Sequence, residues 1–187
     1  MKQAKMLALT ISLIILCGCS KSEKYEEMFT SWREGYSNIA EHSIEAVVTA
    51  SDDKKFNEYS LLYTRNADGE TVEVVSPELI ADISAHIGED ETRLSYDGVM
   101  LETGSALSEK LSPLMALPTF MDIIVQGHPE NSWLEKEAET ELLVTELEMP
   151  DGTIMTLWQS YSDLKPVYAD IRSGDRVELK INFTKVD

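Results

Sequence analysis

Beyond position 19 the chain contains no cysteine; its two cysteines, Cys17 and Cys19, both lie near the N-terminus of a 187-residue sequence. A domain built from the remainder has no disulfide, no thiol nucleophile and no cysteine metal site, and must be held by its core alone. Positive charge is scarce as well: 16 Lys and Arg stand against 34 Asp and Glu, a net charge of −18. Such a surface repels phosphate backbones and gains nothing from counterion release, which excludes nucleic acid as a partner. It also opposes electrostatic docking on anionic lipid, so membrane attachment must come from acyl chains, at about 0.8 kcal/mol per buried methylene. Catalytic patterns are missing too. His42, His86 and His128 stand apart with no metal-ligand spacing, and a lone histidine near a strand end reads as structural or exposed. No G-x-S-x-G elbow, phosphate-binding glycine loop or calcium loop occurs. The expectation is a protein that is not an enzyme and holds no cofactor and no metal. The acidic runs Glu89-Asp90-Glu91 and Glu135 to Glu141 read as solvated loop and helix faces.

What is present begins with Met1-Lys2-Gln3-Ala4-Lys5, followed by Met6 to Leu16 with only Thr10 and Ser12 interrupting the apolar residues. This is the charged and then apolar pattern of a secretory signal peptide. The run falls short of the roughly 20 residues a transmembrane helix needs. Leu16-Cys17-Gly18-Cys19 resembles the bacterial lipobox, with a small residue just before Cys19; Cys17 does not fit, because Leu16 occupies the position that must be small. The expected organisation is a lipoprotein signal peptide over residues 1–18, a lipidated Cys19 opening a tether over 19–24, and one domain over 25–187. That length suffices for a single core.

In the domain, Tyr25, Met28, Phe29, Trp32, Tyr36 and Ile39 fall in steps of three and four, which predicts an amphipathic helix from Tyr25 to Ala40. The period then changes to two. Ile44 to Ala50, Tyr59 to Thr64, Thr71 to Val75, Ala81 to Ile87, Thr92 to Tyr96, Val99 to Glu102, Glu139 to Met149, Thr153 to Gln159, Val167 to Arg172 and Arg176 to Phe183 read as strands. Turn signals separate them at Asn66-Ala67-Asp68-Gly69, Asp97-Gly98, Asp151-Gly152 and Ser173-Gly174-Asp175. Between the sixth and seventh strands, Leu107 to Gln126 is apolar almost all round; Ser112-Pro113 marks a helix start, Pro118 should kink or split it, and Gly127 should end it. The fold class is mainly β with helices (α+β): a curled antiparallel half-barrel sheet of about ten strands, covered by a helical lid.

That order of elements resembles the lipoprotein carrier superfamily of LolA-like and LppX-like proteins, and within it the membrane-anchored sporulation and germination lipoproteins of spore-forming bacteria. The likeness is carried by Tyr59-Ser60-Leu61-Leu62-Tyr63, Asn66-Ala67-Asp68-Gly69-Glu70, Val74-Val75-Ser76-Pro77-Glu78, Ile80-Ala81-Asp82-Ile83, Leu94-Ser95-Tyr96-Asp97-Gly98, Leu111-Ser112-Pro113 and Lys165-Pro166-Val167-Tyr168-Ala169-Asp170-Ile171. It implies an apolar-binding or protein-binding module and, for the spore group, partnership with a peptidoglycan-processing enzyme. Soluble carriers of the family shuttle; a chain tethered through Cys19 does not. Trp32, Tyr36, Met115, Phe120, Met121 and Ile124 on the expected helices, with Tyr59, Tyr63, Leu94 and Tyr96 on strands, are the candidate ligand-binding residues. A packed core would use the same residues. Two functions follow: a lipid-anchored extracytoplasmic protein holding a lipid, acylated protein or apolar partner beneath its lid, or a filled-core scaffold that docks and stabilises an extracytoplasmic enzyme of the cell wall or spore cortex.

Lipidation at Cys19 is testable by cell fractionation. Cys19→Ser should stop processing and release the protein from membranes, whereas Cys17→Ser should do neither; equal retention of both variants would overturn the assignment.

Overall fold

The alternating segments form eleven strands: β1 His42–Asp52, β2 Lys55–Asn66, β3 Gly69–Ser76, β4 Ile83–Ile87, β5 Thr92–Tyr96, β6 Val99–Leu101, β7 His128–Glu137, β8 Thr140–Glu148, β9 Thr153–Ser160, β10 Pro166–Ser173 and β11 Arg176–Val186. The computed structural model describes residues 22–52, 55–88, 92–97, 99–101 and 112–187. The segment expected to be a signal peptide, with Cys17, Cys19 and the first half of the expected tether, lies outside the described residues, as do the acidic run at 89–91 and residues 107–111.

All pairings are antiparallel, in the order β6-β5-β4-β3-β2-β1-β11-β10-β9-β8-β7. Two meanders, β1 to β6 and β7 to β11, are thus joined at the centre by β1 against β11, and β6 and β7 are the two edges of an open half-barrel. Register places the apolar set on one face: Ile44 faces Tyr63, and Ala46 lies between Leu61 and Phe183. A period of two then sends Ile44, Ala46, Val48, Leu61, Tyr63, Val72 and Val74 into one buried cluster with Leu179 and Ile181.

The turn chemistry behaves as the sequence predicts. Asn66 Oδ1 accepts the Asp68 N–H at 2.8 Å, and Gly69 follows at φ 122°, a conformation that glycine tolerates and other residues resist. Asp151 Oδ1 accepts the Thr153 N–H at 3.0 Å, and Gly152 turns at φ 81°.

Two expectations need correction. Among the described residues there are eleven strands, and the one not expected is β7: Glu135 and Glu137 belong to it, so the acidic run 135–141 is a β-hairpin, not loop or helix, although its carboxylates are exposed as expected. The alternation is hidden because the inward Ser132 is polar and the outward Trp133 apolar, so that adjacent Trp133 and Leu134 face opposite sides. The second correction concerns the apolar segment. A single 3-10 turn, Pro113–Met115, leads into a helix, α2, over Ala116–Gln126. Pro118 sits in the first turn of α2, where its missing N–H would have had no intrahelical acceptor, so the break falls before it. Gly127 ends the helix, donating its N–H to the Ile123 carbonyl at 2.8 Å; a Cβ there would lie 2.5 Å from that oxygen.

The chain leaves the β6 edge and re-enters at the β7 edge, and α2 covers the concave face between them. Leu117, Phe120, Met121, Ile123 and Ile124 are buried in the core, with Phe120 against Phe183 at 4.9 Å between ring centres. Only Asp122, Val125 and Gln126 face solvent.

Since α2 is core, truncating it should cost core-sized energies. Phe120→Ala is expected to lose about 3–5 kcal/mol and Ile124→Val about 0.5–1.5 kcal/mol in urea denaturation. A loss under about 1 kcal/mol for Phe120→Ala would mean that α2 is a surface layer.

Candidate functional site

The remaining helix, α1, has helical residues 22–37, so it begins before Tyr25 and takes in the last positions expected to be tether. Its apolar stripe lies on the sheet as predicted: Phe29 is fully buried, and Tyr25, Met28 and Trp32 pack half-buried against the core. Ring contacts run along the stripe and off its end. Phe29 and Trp32 are 5.7 Å apart, Trp32 stacks on Tyr36 at 4.7 Å, and Tyr36 meets His42 at 4.6 Å. On the other flank Arg33 lies over the Phe29 ring and donates to the Gly127 carbonyl at 2.9 Å, tying α1 to the end of α2. A cation at a helix C-terminus complements the partial negative charge of its last carbonyls.

Between α1 and the loop joining β9 to β10 lies a groove of about 540 Å³, lined by Lys24, Glu27, Met28, Ser31, Trp32, Asp163 and Leu164. Its floor is apolar and its rim charged. Leu164 is held there in the left-handed region at φ 56°, which costs a non-glycine residue roughly 1–2 kcal/mol. Hydrogen bonds enforce it: Gln159 Nε2 donates to the Leu164 carbonyl at 2.7 Å, and the Leu164 N–H donates to the Ser160 carbonyl at 2.8 Å. Nearby on the inner face of β7 to β9, Ser132 and Thr145 share a hydrogen bond of 3.1 Å, and the buried Gln159 Oε1 has no partner among the described residues. The inner face in this quarter is therefore partly polar.

At the far end of α1 the register aligns His42, Arg65 and Glu70 across β1, β2 and β3. His42 is only 3% exposed. Burial, reinforced by the Arg65 charge, holds its imidazole below the usual histidine range. Burial likewise pushes the Tyr36 hydroxyl up to about 12, raises that of Tyr63, and raises the Glu70 carboxyl.

The sequence-predicted ligand residues divide into groups. Trp32 and Tyr36 stack at the groove and the His42 end; Tyr63 is fully buried below them. Phe120, Met121 and Ile124 are interior, and Met115 and Leu94 are half-buried. Tyr59 lines a different depression of about 370 Å³ with Phe56, Pro77, Leu79 and Ile80. Tyr96 is 49% exposed at the end of β5. Sequence reasoning missed Leu164 and the buried His42. A leucine in a left-handed turn carries no signal in sequence; the polar Ser160-Tyr161-Ser162-Asp163 stretch between two strands is what could have pointed to the loop that presents it.

Among the described residues no group of His, Cys, Asp and Glu gathers to hold a metal ion, and no helix is long and apolar enough to cross a membrane. No protein-family model and no curated protein matches the sequence. Solved structures do match the fold. A domain assigned to outer membrane lipoprotein sorting from Vibrio parahaemolyticus superposes with a TM-score of 0.52 at 12% identity, over 87% of this chain and 92% of that one. LprF from Mycobacterium bovis gives 0.52 at 12% over 88% and 93%. A DUF1329-family protein from Desulfovibrio piger gives 0.52 at 10% over 87% and 90%. The chain shares its fold with these three structures.

The buried His42 makes stability pH-dependent. With its folded pKa depressed, the unfolded chain takes the proton first as pH falls, so its contribution is present above about pH 6.5 and lost below it. Glu70, raised by burial, acts in the opposite sense. The comparison must therefore be with a variant: between pH 7 and 5, His42→Gln should lose less stability than the wild type in urea titrations. Parallel declines would remove His42 as the source.

Proposed function

We propose that this protein is a membrane-tethered lipoprotein on the extracytoplasmic face, and that it holds an acyl chain or another apolar segment, of a lipid or of an acylated protein, in the seam beneath α1. The observation that carries this reading is the groove floored by Met28, Trp32 and Leu164, whose volume of about 540 Å³ falls within the range of ligand sites. A strained Leu164 in that floor, fixed by Gln159, fits a surface shaped for contact and not only for stability. The lipoprotein-sorting fold is consistent with such a ligand. Met28 adapts to irregular apolar shapes, and the lipid on Cys19 would keep the groove beside a membrane.

The second reading is the scaffold that docks a cell-wall or spore-cortex enzyme. What favours it is the interior: α2 fills the concave face with fully buried side chains, leaving the seam at its margin as the place for a ligand.

Native mass spectrometry of protein purified without detergent, together with titration of a fluorescent fatty acid, separates the two. The wild type should carry or bind one acyl ligand. Leu164→Gly removes part of the groove floor, and the relief of about 1 kcal/mol of backbone strain offsets much of its lost packing on the core, so it should weaken binding at least fivefold, from the lost apolar contact, with a stability loss under about 1 kcal/mol. Absence of any apolar ligand from the wild type would leave the scaffold reading.

A further inference from the structure

The convex side of β7 to β10 carries a feature that the seam does not use. Register aligns Trp133, Val144, Trp158 and Tyr168 in one row across the four strands, with Glu135 opposite Leu142 in the next row. Trp158 and Tyr168 stack at 4.7 Å. Trp158 Nε1 donates to Glu135 Oε2 at 2.6 Å, Trp133 Nε1 approaches Glu135 Oε1 at 3.4 Å, and the Tyr168 hydroxyl donates to Glu137 Oε2 at 3.3 Å. Val144 and Leu142 are buried on this outer face although they lie outside the main core cluster.

Covering two aliphatic residues requires only apolar atoms, and aromatic rings alone would do it. The carboxylates are what this structural role leaves over. Elsewhere on the same face two acids do have cations: Glu146 pairs with Arg172 at 2.5 Å, and Asp170 lies 3.9 Å from Lys180. Glu135 and Glu137 have only neutral N–H and O–H donors among the described residues, so their negative charge is oriented but not neutralised. Half-buried indole and phenol rings beside an uncompensated carboxylate form a setting for a planar cation, which stacks on the ring and bonds the acid in fork geometry.

We propose that this convex face is a docking surface for an arginine-bearing segment of a partner protein, received between the Glu135 and Glu137 carboxylates and the Trp133, Trp158 and Tyr168 rings. Charge complementarity selects the partner: a chain of net charge −18 draws cationic segments and repels acidic ones. Arginine is favoured over lysine because the site offers flat rings and carboxylates together. The surface lies on the opposite side of the sheet from the seam, and its use does not depend on an apolar ligand there.

The three tryptophans, Trp32, Trp133 and Trp158, give the experiment its readout. The full chain, labelled with nitrogen-15 and kept in a non-ionic detergent at physiological ionic strength, is titrated with a short acetylated Arg-Gly repeat peptide while the indole N–H signals are followed. The signals of Trp133 and Trp158 should shift and that of Trp32 should stay. Glu135→Gln with Glu137→Gln should weaken binding about tenfold, the loss of charge-assisted bonds. Glu23→Gln with Glu34→Gln, the same charge change on the exposed face of α1, should alter it less than about twofold, as expected for screened distant charges. Thermal midpoints of both double variants establish that folding is intact, and the wild-type shifts stand even if one variant fails to fold. Equal weakening by both pairs, equal binding of a Lys-Gly repeat or of spermidine, or movement of all three indoles would show attraction to net charge alone and overturn the proposal.

Discussion

The pairing of β1 with β11 is the constraint on which the rest of the structure depends. It joins the first and last strands of the sheet at its centre, and so places the two free edges at β6 and β7. The chain must then travel from one edge to the other between consecutive strands. In a flat sheet those edges would stand apart by ten strand spacings of about 4.8 Å, while α2 is only about 16 Å long. Curling brings them nearer and creates a concave face, and α2 crosses it as the only shelter for its own apolar surface. Without disulfides, the closure entropy of this long-range pairing is offset by burial of the row that includes Ile44, Tyr63, Phe120 and Ile181.

The two helices are unequal covers. Most of α2 is interior, so removing it would unmake the core, which makes it a plug. In α1 only Phe29 is fully buried, with Tyr36 nearly so; the rest of the stripe is half-exposed, and the helix is further held by Arg33 on Gly127 and by Tyr36 on His42. Elements with few buried contacts open at lower free energy than the whole domain. The groove lies along α1 because that is where the packing is incomplete. The roles expected for one apolar lid are divided, with α2 supplying volume and α1 forming the margin.

How much of this was legible follows from which interactions are local. Hairpins such as Asn66 to Gly69 are written in neighbouring residues, because an Asn side chain and a glycine settle the turn without help from the rest of the chain. The stripe Tyr25 to Tyr36 was legible because a helix repeats at short range. The burial of His42 was not, since it depends on Tyr36 arriving from α1. Nor was the position of Leu164, whose left-handed backbone is imposed by Gln159 and Ser160 against its own preference. Strand β7 was hidden because its inward Ser132 and Leu134 alternate with an outward Trp133, so that polarity and facing disagree.

Strand β8 explains why the acidic face and the interior cannot be considered separately. Leu142, Leu143, Val144 and Thr145 are all buried, so the strand is covered on both sides. A strand that reads as a continuous apolar run requires two roofs, as in sheets sandwiched between layers. Inside, the roof is the core with α1 and α2. Outside there is no second layer among the described residues, and the roof is made from Trp133, Trp158 and Tyr168 on neighbouring strands, whose polar edges must still find acceptors. Glu135 and Glu137 are those acceptors. The aromatic row thus needs carboxylates to satisfy its N–H and O–H groups, and by using them it brings negative charge against exposed ring edges next to the open β7 margin. The same residues that let β8 be apolar on both faces leave Glu135 and Glu137 beside three rings with no cation paired to either among the described residues.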